Sequence, residues 1–201
     1  TAILFVVNWR GTKSSAGFQR VMCVLLLGAG VIAIIASFMK GDVSHLQPIY
    51  GNVGQGTHGS LMGGAVAIMA SAPFFLAGFE TIPQGIEDSD GNAKAVGKTV
   101  VLTVVCACIF YAVLLFSLGM GIPWQQFYGL DAPAAANLMK ILYGGGAGTV
   151  LWGVILLGAL CGLLTTWNGF MMATPRLMMS LGRARLLPAA FAKVHPKYGT
   201  P

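Results

Sequence analysis

Residues 59–80 read GSLMGGAVAIMASAPFFLAGFE, an uncharged run that is interrupted in its second half by Pro73 and Gly78 and ends at Glu80. Gly59 to Phe79 is long enough to cross a hydrocarbon core, which takes about 20 residues at about 1.5 Å each. A spanning helix must satisfy its own backbone in lipid, so a Pro and a Gly placed close together predict local unwinding. Unwinding is tolerated where the freed groups face protein, water or a bound solute, and secondary transporters bind their cargo at such breaks.

The rest of the chain agrees with a membrane setting. Charged residues make up 9% of it and hydrophobic ones 56%, with a mean hydropathy of +0.76, whereas a soluble domain carries roughly 25% charged residues. Three further runs without Lys, Arg, Asp or Glu are long enough to span: 21–39, 99–122 and 149–172. With 59–79 they make four predicted spans in a single membrane domain over 1–201. The net charge of +6 reads as topology, because ten of the 12 cations lie before the first span, between the second and third, or after the fourth. Only Lys40 and Lys140 fall in the other two loops, and this positive-inside bias places both ends of the segment in the cytoplasm of a multi-pass cell-membrane protein. A nucleic-acid partner is not expected.

Cys23, Cys106, Cys108 and Cys161 lie inside the apolar runs with no Cys-x-x-Cys spacing, and read as small hydrophobes. His45, His58 and His195 lie in loops far apart in sequence. No metal site or catalytic histidine pair is expected. Thr1–Val7 is too short to span and reads as the end of a preceding helix, while Lys197–Pro201 stops in mid-loop, so the chain reads as an internal segment of a larger protein.

Lys40–His58 carries Gly41, Pro48, Gly51, Gly54 and Gly56 and reads as an irregular outer loop. Pro123–Gly148 reads as a second outer loop whose Trp124, Tyr128 and Tyr143 suit an interfacial aromatic belt. Glycines spaced as Gly59-x-x-x-Gly63 and Gly158-x-x-x-Gly162 fit close helix approach.

Apart from Glu80, the second span stays uncharged to Ile86, about 42 Å if fully helical against a hydrocarbon thickness of about 30 Å. Glu80 would then lie up to two helical turns inside the boundary marked by Glu87 and Asp88. A carboxylate at that depth needs a partner, a proton or water, and is a functional-site candidate. The alternative is an interfacial acid paired with Lys94 or Lys98.

Pro73-Phe-Phe-Leu-Ala-Gly-Phe-Glu80 followed by Glu87-Asp88 resembles the sixth helix of the amino acid-polyamine-organocation (APC) permeases. Asn8-Trp-Arg-Gly11 with Gln19 resembles their link between the fourth and fifth helices. Asn168, Arg176 and Leu187-Pro188 resemble the end of their eighth helix, and His195–Pro201 the loop beyond it. The four matches occur in order and in register. The resemblance implies an all-α, LeuT-like bundle of two five-helix inverted repeats, of which this chain holds helices 5 to 8. It implies a substrate held against helix 6, with Phe74, Ala77, Gly78 and Phe79 at the unwound stretch and Glu80 just beyond it as an anchor or proton sensor. For Phe74, Phe75 and Phe79 the alternative is lipid or core contact. In relatives with a sodium site the eighth helix supplies hydroxyl ligands, a role open to Thr165 or Thr166 near Asn168; the alternative is a hydroxyl bonded back to its own helix.

The chain departs from the resemblance in three places. Asp90-Gly91-Asn92 replaces Asn-Pro after the acidic pair, and Ala184-Arg185 replaces Asp-Gly before Leu187-Pro188. Leu26 stands where proton-coupled relatives carry a lysine. The expected function is secondary active transport of amino acids or related amines by alternating access, with no cofactor and with H+ or Na+ as coupling ion. The partners would be that substrate, the lipid bilayer and the remaining helices of the full-length transporter. The rival readings are a channel-like subunit, marked by flux without counter-transport, and an intramembrane enzyme, which would need convergent acids, histidines or a nucleophile within the spans.

Overall fold

The computed structural model describes residue 8, residues 12–47, 61–79, residue 82 and residues 93–193. Its elements, in order, are α1 (Thr12–Lys40), a 3₁₀ turn (Val43–Leu46), α2 (Leu61–Leu76), α3 (Ala93–Gly119), α4 (Trp124–Tyr128), α5 (Ala134–Tyr143), α6 (Gly145–Arg183) and a second 3₁₀ turn (Ala189–Ala192). No strand occurs among the described residues. The fold is all-α, and α1, α3 and α6 are each long and apolar enough to cross a membrane.

The helices overrun the apolar runs that announce them. α3 starts at Ala93 and carries Lys94 and Lys98, whereas its apolar run starts at Thr99. α6 continues through Arg176 to Arg183, a total of 39 residues, or about 58 Å. A charge ends a hydrocarbon-compatible stretch but not a helix, because long cationic side chains extend along the helix to reach water. α2 is the exception, with only 16 residues.

Two compact units divide the described residues, one drawn from 26–77 and 103–159 and the other from 1–25, 78–102 and 160–201. In the first, Ala33 and Ala36 of α1, Leu118 at the end of α3, Ile122 just beyond it, Ala136, Leu138 and Met139 of α5, and Ile155 of α6 form a buried core. Gly30 of α1 meets Phe110 of α3 so closely that a Cβ there would lie 2.5 Å from the ring tip. Within 123–148, read from sequence as a second outer loop, α4 and α5 both form. The run Ala134-Ala-Ala-Asn-Leu-Met-Lys favours helix intrinsically, and Ala136, Met139 and Tyr143 recur at helical spacing to cover the core.

Polar groups tie this unit together. The Tyr143 hydroxyl donates to the Ala36 carbonyl at 2.9 Å, and Trp152 Nε1 donates to Asn137 Oδ1 at 3.0 Å. The Lys140 ammonium lies 4.3 Å from the centre of the Trp152 ring. The expectation of an irregular loop from Lys40 also needs correction over Val43–Leu46, where a 3₁₀ turn forms. Asp42 caps it by accepting from the Ser44 amide at 2.8 Å, and this bond holds the carboxyl below its ordinary pKa.

Candidate functional site

α2 loses regular hydrogen bonding where the sequence says it should. Pro73 lies inside the helix and has no N–H to offer the Met69 carbonyl. The helix ends at Leu76, and Ala77–Phe79 form a turn in which Gly78 has φ +115°. A Cβ on Gly78 would meet nothing within 4 Å, so it is the backbone angle and not space that calls for glycine. The Ile82 amide donates to the Phe79 carbonyl at 3.2 Å.

Phe74, Ala77, Gly78 and Phe79 stand together at this break. Phe74 is 83% exposed and packs edge-on against Phe75 with ring centroids 6.0 Å apart. Ala77 and Phe79 are exposed and Gly78 is half-buried. Glu80, Glu87, Asp88 and the Asp90-Gly91-Asn92 turn lie outside the described residues, as do Gly59 and the His195–Pro201 segment.

The second unit is held by a network centred on Asn168 of α6, which is completely buried. Its Oδ1 accepts from Asn8 Nδ2 at 2.8 Å, and its Nδ2 donates to Ser15 Oγ at 3.1 Å and Gln19 Oε1 at 2.9 Å. Ser15 Oγ in turn donates to Asn8 Oδ1 at 2.9 Å, which closes a ring of three residues. Ser15 Oγ also lies 3.3 Å from Asn168 Oδ1 and 3.1 Å from Met172 Sδ. A hydroxyl has one proton, so the shorter Asn8 bond takes it and the Asn168 amide fills its lone pair.

Gln19 Nε2 extends the network to the Thr165 carbonyl at 3.2 Å. Ser15 and Gln19 are one turn apart on α1, as are Thr165, Asn168 and Met172 on α6, so each helix offers a single polar face. Both amide hydrogens and the oxygen of Asn168 are used, as burial in a low-dielectric interior requires.

Thr165 and Thr166 donate their hydroxyl protons to the same carbonyl, that of Gly162, at 2.7 and 3.0 Å. Thr165 is buried and Thr166 exposed. The structure thus joins Thr165 and Asn168 through Gln19. Ser15 is the member that sequence reasoning missed; its signal is the Ser15/Gln19 pair at i, i+4 on the first turns of an otherwise apolar helix.

The profile of the amino acid permease family matches residues 1–201. The chain is 29% identical to the branched-chain amino acid permease BcaP of Bacillus subtilis (strain 168) over 139 residues, 69% of the chain and 29% of that protein. It is 26% identical to the chloroplastic cationic amino acid transporter 7 of Arabidopsis thaliana over 206 residues, all of the chain and 33% of that protein. It is 28% identical to the methylthioribose transporter of Bacillus subtilis (strain 168) over 193 residues, 96% of the chain and 39% of that protein. The chain therefore spans about a third of the length of these curated relatives. It belongs to the amino acid permease family, whose members are membrane transporters of the APC superfamily and not enzymes.

Proposed function

We propose that this permease segment forms part of a secondary active transporter that carries amino acids or related amines across the cell membrane by alternating access. The observation that carries the reading is the end of α2 at Leu76, followed by Gly78 at φ +115° behind Pro73. A helix that stops inside an apolar stretch offers backbone N–H and C=O groups to a zwitterion's carboxylate and ammonium. Phe74, Ala77, Gly78 and Phe79 would form one wall of that pocket, with Glu80 anchoring the unwound segment or exchanging a proton. Both ends of the segment would face the cytoplasm.

The Asn8, Ser15, Gln19 and Asn168 network would hold α1 and α6 together in one state of the cycle. With their protons committed to Gly162, the Thr165 and Thr166 oxygens keep lone pairs that suit a sodium ion. Leu26 argues against a proton route through α1, because no titratable group stands at that position. Coupling would then come from exchange, from sodium, or from protons at Glu80.

The test is uptake by the full-length protein in proteoliposomes, using labelled branched-chain and cationic amino acids and methylthioribose. Saturable amino acid uptake that accelerates when the lumen is preloaded with unlabelled substrate is expected. Glu80→Gln should reduce it at least tenfold, equivalent to about 1.4 kcal/mol in the limiting step. Flux that does not saturate and shows no counter-transport would refute the carrier reading.

A further inference from the structure

α6 ends in a cap with an unusual occupant. The Leu186 amide donates to the Leu181 carbonyl at 2.9 Å and the Arg185 amide to the Gly182 carbonyl at 3.1 Å. These are the paired bonds of a Schellman motif, whose penultimate residue adopts the left-handed conformation and is usually glycine. Here it is Arg185, at φ +61°, the one non-glycine residue with positive φ among those described. A side chain in that conformation strains the backbone, which marks the position as a place to look for a role beyond capping.

The surroundings indicate which role. Arg185 and Lys193 are both exposed. A Schellman cap normally packs the residue after the left-handed position back onto the helix. Leu186 holds that place and is instead 73% exposed, while Phe191 is 43% exposed. The Ala189–Ala192 turn folds against Gly182, where a Cβ would come within 2.9 Å of the Ala192 nitrogen. The cap is thereby fixed as a firm surface of cations beside outward-facing apolar groups.

We propose that this turn binds the headgroups of anionic phospholipids, with Arg185, flanked by Lys193, on the phosphate and with Leu186 and Phe191 among the upper acyl carbons. A guanidinium fork matches phosphate oxygens, and juxtamembrane cations beside apolar side chains are what an anionic leaflet attracts. The inference rests on the membrane setting of the family and on this end of α6 meeting an anionic leaflet. It does not depend on which solute is carried.

The experiment measures thermal unfolding of the full-length protein in a mild detergent, with phosphatidylglycerol, phosphatidylcholine or soluble glycerol phosphate added, and so needs no transport. Phosphatidylglycerol should raise the midpoint above the value in phosphatidylcholine, and 0.5 M salt should reduce that increment. Arg185→Gly should leave the phosphatidylcholine midpoint unchanged or higher, because the strain is relieved, yet lose at least half of the phosphatidylglycerol increment. Arg185→Lys should keep most of it. An undiminished increment in Arg185→Gly, no increment in the unsubstituted protein, or an equal increment from glycerol phosphate alone would overturn the proposal.

Discussion

Removing the Asn168 amide tests whether the polar network is a unit. Asn168→Ala deletes three hydrogen bonds, to Asn8, Ser15 and Gln19. Each is worth about 0.5–1.5 kcal/mol in soluble proteins and about 0.6 kcal/mol between membrane helices. With the small cavity left behind, the loss should be about 2–4 kcal/mol. Ser15→Ala removes the hydroxyl that closes the ring and should weaken the protein by about 1 kcal/mol, because the Asn168 amide keeps its bond to Gln19. Gln19→Ala should be milder still, since it is only partly buried and water can replace it. In denaturant unfolding of the full-length protein in detergent, the Ser15→Ala/Asn168→Ala pair should be non-additive by about 1 kcal/mol. Additive losses, or a Ser15→Ala variant as stable as the parent, would show that the ring carries no cooperative energy.

The helix break makes a second comparison possible. Gly78→Ala should cut transport at least tenfold, because φ +115° excludes a side chain even though the space is open, whereas Gly64→Ala, in the helical part of α2 with nothing within 4 Å, should be nearly neutral in the same uptake assay. Gly30→Ala should destabilise by about 1–3 kcal/mol through overpacking against Phe110, and Phe110→Leu in the same chain should recover part of the unfolding midpoint. A single cysteine at Gln126, in a cysteine-free background, should react with an impermeant thiol reagent applied outside intact cells, and one at Lys193 should not. Leu26→Lys should not improve proton-driven uptake, measured under an imposed pH gradient, because a buried cation without a partner costs several kcal/mol.

Membrane character and the break were legible because both follow from local composition. An apolar run without charges is recognisable by itself, and Pro73 with Gly78 disturbs hydrogen bonding within a few residues. Helix ends were less legible: α1 begins at Thr12 and α3 at Ala93, each in sequence whose charges conceal a continuing helix. α5 was hidden because its aromatic neighbours read as an interfacial loop. The Asn168 ring was the least accessible, since Ser15 lies 153 residues away in sequence and a serine near a helix start has many ordinary uses. The close approach at Gly30, which a ring tip fills, lies outside the GxxxG spacings and is set by a partner helix and not by local pattern.

Distances along α6 bear on what the Asn168 ring can do. Trp152, whose indole N–H is held by Asn137 beside the exposed Lys140, suits a membrane interface. About 20 helical residues, the thickness of a hydrocarbon core, reach from there to about Met172. In an untilted helix Asn168 would lie within about the last turn of the hydrocarbon, and Arg176 about a turn beyond it. A ring of neutral amides at that depth would be dry when closed and within reach of headgroup water if the two helices part. The groups exposed by parting α1 from α6 would then exchange one set of hydrogen bonds for another at small net cost. The same amides at the bilayer centre would be left unpaired on opening, at several kcal/mol. On the proposed alternating-access reading, the network would sit where a helix pair can be held firmly and still be released by hydration at the inner side.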